Sequence, residues 1–223
     1  MLSDSIFYIP PKTENIQKAI IMLHGYSSNG NDLISMAPYM AKSLPNTVFY
    51  APNAPLEVQE DVYKWFDLED YIFGTIYERF DYLNTLMERA KPILPMVFNF
   101  IQFIAQKHKL NSNKIALMGF SQGGLMALMS GLLYEDNLLG IIGSSAIPVA
   151  INDVLKINEI KNKPNVLLTH GTADDVVPYL GMQINQNTLK DIGCEVQTHV
   201  VSGMGHEIDN SCVNKMIEFI QKN

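Results

Sequence analysis

Gly119-Phe120-Ser121-Gln122-Gly123 has the residue types and spacing for covalent chemistry at an acyl carbon. Lys114 to Met118 before it reads as a short buried strand, and Leu125 to Met129 after it as an apolar helix. A serine between two glycines at a strand-to-helix junction is a nucleophile elbow, G-x-S-x-G. The turn is strained, and side chains two residues either side of the serine would obstruct the closing of strand on helix. It lifts the hydroxyl clear of the sheet and sets it at a helix N-terminus, where free N–H groups favour negative charge.

A serine hydroxyl attacks only when a base takes its proton, and the base is held by a carboxylate. With this elbow the order along the chain is Ser, then Asp or Glu, then His. Five histidines compete for the role. His108 lies in a basic helix end, Lys107-His108-Lys109, and suits a C-terminal dipole role; His199 lies inside the last strand. His24 and His170 each end a strand as His-Gly, at the rim of the sheet. His206 follows the final strand in a glycine-flexed loop, Ser202-Gly203-Met204-Gly205-His206, which is where the base belongs. The carboxylate belongs on the loop after the strand ending at Thr169, and that loop offers two neighbours, Asp174 and Asp175. Adjacent loop side chains point different ways, so only one of them faces His206. For the oxyanion, one donor is the backbone N–H of the residue after the nucleophile, Gln122. The second is expected from the loop Leu23-His24-Gly25-Tyr26-Ser27-Ser28-Asn29-Gly30, through the N–H of Tyr26.

The elements that position these groups alternate along the chain. Strands are expected at Ile6 to Ile9 and Ala19 to Leu23 (an opening pair), then Thr47 to Tyr50, Ile115 to Met118, Leu138 to Ser144, Val166 to Thr169 and Glu195 to Val201. Helices are expected at about Asp32 to Ser43, Met87 to His108, Ser121 to Tyr134, Leu180 to Ile192 and Asp209 to Gln221. Strand alternating with helix predicts an α/β fold, a mostly parallel sheet with helices on both faces. The 223 residues suit a single domain, 1–223. A lid-like insertion at about 53–88 interrupts the rhythm, with nine acidic residues beside Trp65, Phe66, Leu68, Tyr71, Ile72, Phe73, Ile76 and Tyr77.

A net charge of −7 argues against nucleic-acid binding, since little would displace counterions from phosphates. No apolar run approaches the ~20 residues of a membrane span. The start Met1-Leu2-Ser3-Asp4-Ser5 has neither the basic nor the apolar part of an export signal, and Cys194 and Cys212 read as free thiols, so the expectation is a cytoplasmic protein. No metal-ligand spacing is present, and neither metal nor organic cofactor is expected. The apolar insertion is a candidate homodimer contact.

With these pieces assembled, the chain resembles the carboxylesterase and acyl-protein thioesterase family, also called phospholipase/carboxylesterase, of compact α/β-hydrolases. The resemblance rests on Leu23-His24-Gly25, Ala51-Pro52-Asn53-Ala54-Pro55, Trp65-Phe66-Asp67 and Gly119-Phe120-Ser121-Gln122-Gly123-Gly124. It continues through His170-Gly171 with Asp174 and Val177-Pro178, and ends at Gly203-Met204-Gly205-His206. It implies an α/β-hydrolase fold, Ser121, Asp174 and His206 as the triad, Tyr26 and Gln122 as the oxyanion hole, and no cofactor. The activity implied is hydrolysis of carboxylic esters or thioesters, with lysophospholipase or acyl-protein thioesterase action as variants, on a small-molecule ester, a lipid or an acylated protein. Tyr26 departs from the Leu common in the family and would narrow the acyl site. Phe66, Leu68, Phe73, Ile147 and Val177 are expected to line that site, with Ile72 and Val176 beside them. A non-catalytic protein on the same scaffold would be expected to lose a triad member, and all three positions are filled.

Overall fold

The strand Lys18–Leu23 is apolar on both faces: Ala19, Ile21 and Leu23 enter one hydrophobic cluster, Ile20 and Met22 another. The same two-residue alternation divides Ile115, Leu117 from Ala116, Met118, and Val166, Leu168 from Leu167. Strands buried on both faces belong in the middle of a parallel sheet. The computed structural model describes residues 2, 5–11, 13, 15–68 and 80–223.

In chain order the elements are β1 (Ser5–Tyr8), β2 (Lys18–Leu23), α1 (Gly30–Ile34), α2 (Ala37–Met40) and β3 (Thr47–Pro52). The hairpin β4 (Leu56–Gln59) and β5 (Val62–Lys64) follows, then α3 (Phe80–Ala90), α4 (Leu94–His108), β6 (Ile115–Phe120) and α5 (Gln122–Leu133). The chain ends with β7 (Gly140–Ser144), β8 (Val166–Gly171), α6 (Leu180–Ile192), β9 (Val196–Val201) and α7 (Asn210–Lys222). Seven strands form one sheet in the order β1-β3-β2-β6-β7-β8-β9. Every pairing is parallel except that of β1 with β3. The opening strands are therefore not partners of each other: β3 lies between them.

Helices α3 to α6 supply one cluster and α1, α2 and α7 the other, so both faces of the sheet are covered. The helix α5 is buried from Gln122 to Leu132, which matches its uniformly apolar sequence and its place between α4 and the central strands. The long helix expected from Met87 to His108 breaks into α3, a 3₁₀ turn at Lys91–Ile93 and α4. Pro92 and Pro95 cause the break, because proline removes a helical N–H and tolerates only the first turn. The segment Asp32 to Ser43 likewise divides into α1 and α2, with Pro38 in the first turn of the second.

Of the insertion at 53–88, residues 69–79 lie outside the described residues, and with them Tyr71, Ile72, Phe73, Ile76 and Tyr77. Its described part holds the hairpin of exposed β4 and half-buried β5, and then Trp65 and Phe66, both buried in the core. Cys194 and Cys212 are buried free thiols, each pushed up to about 11 chiefly by burial, which disfavours the thiolate. Among the described residues no helix is long and apolar enough to cross a membrane.

Candidate active site

Ser121 occupies the turn between β6 and α5 with φ 55° and ψ −115°, a backbone conformation that non-glycine residues rarely adopt. The glycines on either side serve two different approaches. A Cβ on Gly119 would stand 2.0 Å from the carbonyl oxygen of Gly123, across the turn itself. A Cβ on Gly123 would stand 2.0 Å from the carbonyl oxygen of Leu23, so this glycine lets α5 approach the end of β2. The Ser121 N–H donates to Ser144 O at 2.9 Å, tying the elbow to the end of β7.

Asp174 lies on the loop after β8 with its side chain fully buried. Its Oδ1 accepts the N–H groups of Val176 at 3.0 Å and Val177 at 2.8 Å, and its Oδ2 accepts from His206 Nδ1 at 2.9 Å. Asp175, its neighbour and rival, is exposed. Burial pushes the Asp174 carboxyl up, but the hydrogen bond and charge of His206, with the N–H of Val177, more than reverse it. The net shift is below the ordinary value, which keeps the group ionised. A carboxylate only accepts, so His206 carries a proton on Nδ1, which in the neutral ring leaves the lone pair on Nε2. The loops bearing these residues are laced together: Ala173 N–H donates to Met204 O at 3.0 Å, and Gly203 N–H to Thr172 Oγ1 at 2.9 Å.

The N–H of Gln122 is the first in α5, where no helical carbonyl precedes it. Its side chain is committed elsewhere. Oε1 accepts the N–H of Trp65 at 2.9 Å, and Nε2 donates to Phe66 O at 2.8 Å. The indole N–H of Trp65 in turn donates to His24 O at 2.9 Å, which joins the Gly25–Tyr26 loop to the elbow.

Gly25, Tyr26, Ser28, Phe120, Ser121 and His206 line one cavity of about 190 Å³. Leu68, Ile147, Val176 and Val177 complete its described wall. Of the expected acyl-site residues, Leu68, Ile147 and Val177 thus line the same cavity as Ser121. Phe66 is buried in the core instead and is not among the lining residues; Phe73 lies outside the described residues. Tyr26 is 37% exposed at the mouth.

The remaining histidines are accounted for. His108 Nε2 lies 2.8 Å from the Tyr50 hydroxyl, and His199 Nε2 lies 3.0 Å from Ser211 Oγ. His170 is buried against Asp174: its Nε2 is 2.6 Å from Val177 O and 3.3 Å from Asp174 Oδ2. His170, His24 and Trp65 have no task in the sequence analysis; their signals are the His-Gly at two strand ends, the single Trp and their place in the motifs that carry the family resemblance. Among the described residues no three His, Cys, Asp or Glu side chains gather to hold a metal ion.

The sequence profile of the phospholipase/carboxylesterase family matches residues 5–223. The chain belongs to that family. Acyl-protein thioesterase 1 of Emericella nidulans is 26% identical to it over 231 residues, covering 96% of this chain and 94% of that protein. Carboxylesterase SOBER1 of Arabidopsis thaliana is 26% identical over 213 residues, covering 91% and 89%. The crystal structure of esterase PE8 superposes with a TM-score of 0.85 at 32% identity, covering 98% of this chain and 97% of that one. The seven-stranded sheet and its flanking helices are the α/β-hydrolase fold of this phospholipase/carboxylesterase family.

Proposed function

We propose that this protein hydrolyses carboxylic esters or thioesters through an acyl-enzyme on Ser121. The observation that carries the reading is the placement of Ser121, at a helix N-terminus, on the same cavity as His206, whose Nδ1 is held by buried Asp174. His206 Nε2 takes the Ser121 proton as Oγ bonds to the acyl carbon, and the N–H groups of Gln122 and Tyr26 receive the oxyanion. Collapse of that intermediate breaks the bond to the leaving alkoxide or thiolate, which takes the proton from His206. Water, deprotonated by His206, then attacks the acyl carbon and releases the carboxylic acid and free Ser121. Asp174 stays ionised throughout and stabilises the imidazolium.

The apolar wall of Leu68, Ile147, Val176 and Val177 suits a short-to-medium acyl chain, with Tyr26 restricting the mouth. A small-molecule ester, a lipid or an acylated protein could each present such a group. The reaction requires no metal or organic cofactor, and we place it in the cytoplasm, in keeping with two buried, unpaired thiols.

Hydrolysis of p-nitrophenyl esters by wild type and Ser121→Ala tests the reading. The expected loss in kcat is about 10⁴-fold or more. A variant within tenfold of wild type would overturn it.

A further inference from the structure

His24 is fully buried at the end of β2, beside the nucleophile's turn, and the reaction above gives it no proton to move. Its surroundings nonetheless specify its chemistry atom by atom. Nε2 lies 3.0 Å from the backbone N–H of Ala54, which can only donate. That nitrogen therefore bears a lone pair, and the single proton of the neutral ring is on Nδ1. Nδ1 lies 2.7 Å from the carbonyl oxygen of Gly25, which can only accept. Two backbone groups thus choose the tautomer, and burial favours the same neutral form by pushing the His24 pKa down. The ring is fixed as well: it stands 5.7 Å from Trp65 and 6.5 Å from Tyr63, centroid to centroid, while the Trp65 indole N–H holds the His24 carbonyl.

The carbonyl of Gly25 and the N–H of Tyr26 are opposite ends of one planar peptide. We infer that His24 is a positioning residue of the oxyanion hole: by donating from Nδ1 to Gly25 O, it aims the Tyr26 N–H at the reacting carbonyl and strengthens it as a donor. Fixing one end of a rigid peptide fixes the direction of the other. A hydrogen bond accepted at the carbonyl also polarises the amide, so its N–H donates more strongly. The inference rests on the Tyr26 N–H serving the oxyanion, as proposed above. It assigns a task to the His24-Gly25 pair, and it explains why Trp65, outside the Ser121 cavity, is tied to the His24 backbone.

Two substitutions separate this task from mere support of the fold. The amide of His24→Asn replaces Nδ1 at the same distance along the side chain and restores a donor to Gly25 O. The amide of His24→Gln reaches the position of Nε2, keeps an acceptor for Ala54 N–H and loses the donor. Expected for Gln is a fall in kcat of about 10²-fold, the range for loss of one oxyanion donor, with KM changed less than threefold. Its affinity for a trifluoromethyl ketone, which forms a hemiketal oxyanion on the serine, should fall in parallel with kcat/KM. His24→Asn should recover at least tenfold of that loss. The reverse order would overturn the inference by showing that the grip on Ala54 is what matters, and equal losses would overturn it by showing that the donor to Gly25 O has no effect of its own. Imidazole ¹⁵N NMR of the wild-type protein gives a check independent of whether the variants fold. A proton on Nδ1 and a bare Nε2 at pH 7 are expected, and the opposite tautomer would sink the proposal. If ester hydrolysis survives Ser121→Ala, the underlying reading fails; if it requires Ser121 but tolerates His24→Gln, only the assignment of His24 fails.

Discussion

Gln122 and Trp65 hold each other across 57 residues of sequence: the Gln122 side-chain oxygen accepts the Trp65 N–H at 2.9 Å. The same amide donates to Phe66 O at 2.8 Å. Gln122 therefore contributes its backbone N–H to the proposed oxyanion hole while its side chain fastens the segment after the β4–β5 hairpin. In Gln122→Leu, the Trp65 N–H and the Phe66 carbonyl stay buried without these partners. Each orphaned group costs about 1–3 kcal/mol, so unfolding in urea should show a loss of about 2–6 kcal/mol. A loss below about 0.5 kcal/mol would contradict this account of the side chain.

Asp174→Asn isolates the electrostatic part of the proposed triad. The Asn oxygen can still accept from Val176 and Val177, so the loop should keep its shape. The amide loses the negative charge and can force His206 into the wrong tautomer. Steady-state kinetics should show kcat reduced by about 10⁴-fold. The exposed neighbour serves as control: Asp175→Asn should stay within twofold of wild type.

Acid stability should report buried His24 and His170 and partly buried His108. Burial, the largest cause in each, lowers the pKa of His24, His170 and His108 in the folded chain. Below about pH 6.5 the unfolded chain takes up these protons while the folded one resists, so stability is full above that pH and falls beneath it. Asp174 has the opposite chemistry and a lowered pKa, so its contribution persists to more acidic pH and does not shape this window. Scanning calorimetry from pH 8 to 5 should show Tm falling below about pH 6.5, with a shallower fall in His170→Gln. An unchanged slope in that variant would remove His170 from the account.

What was legible in the sequence is what is encoded locally. The Gly119-to-Gly123 elbow needs glycine where backbone closes on backbone, the loop of Asp174 follows a buried apolar strand, and that of His206 follows the last strand, half polar and half-buried. The pairing of β1 with β3 rather than β2 was not legible, because alternation marks a strand without naming its neighbour. The β4–β5 hairpin escaped because β4 is exposed throughout, so burial leaves no pattern there. The resemblance favoured Asp174 over Asp175, and the loop hydrogen bonds give the physical reason: two backbone N–H groups turn the first carboxylate inward. The surroundings of His24, His170 and Trp65 were hidden for another reason. Their partners include backbone carbonyls and N–H groups of other segments, and such atoms carry no residue-type signature.

As the proposed nucleophile, Ser121 must form a covalent bond with a serine-directed electrophile. Mass spectrometry of the protein after exposure to a fluorophosphonate measures it directly. One adduct per chain is expected, mapping to the peptide that carries Ser121 and lost in Ser121→Ala, with labelling slowed in Asp174→Asn. An unlabelled wild type, or an adduct on another residue that persists in Ser121→Ala, would contradict it.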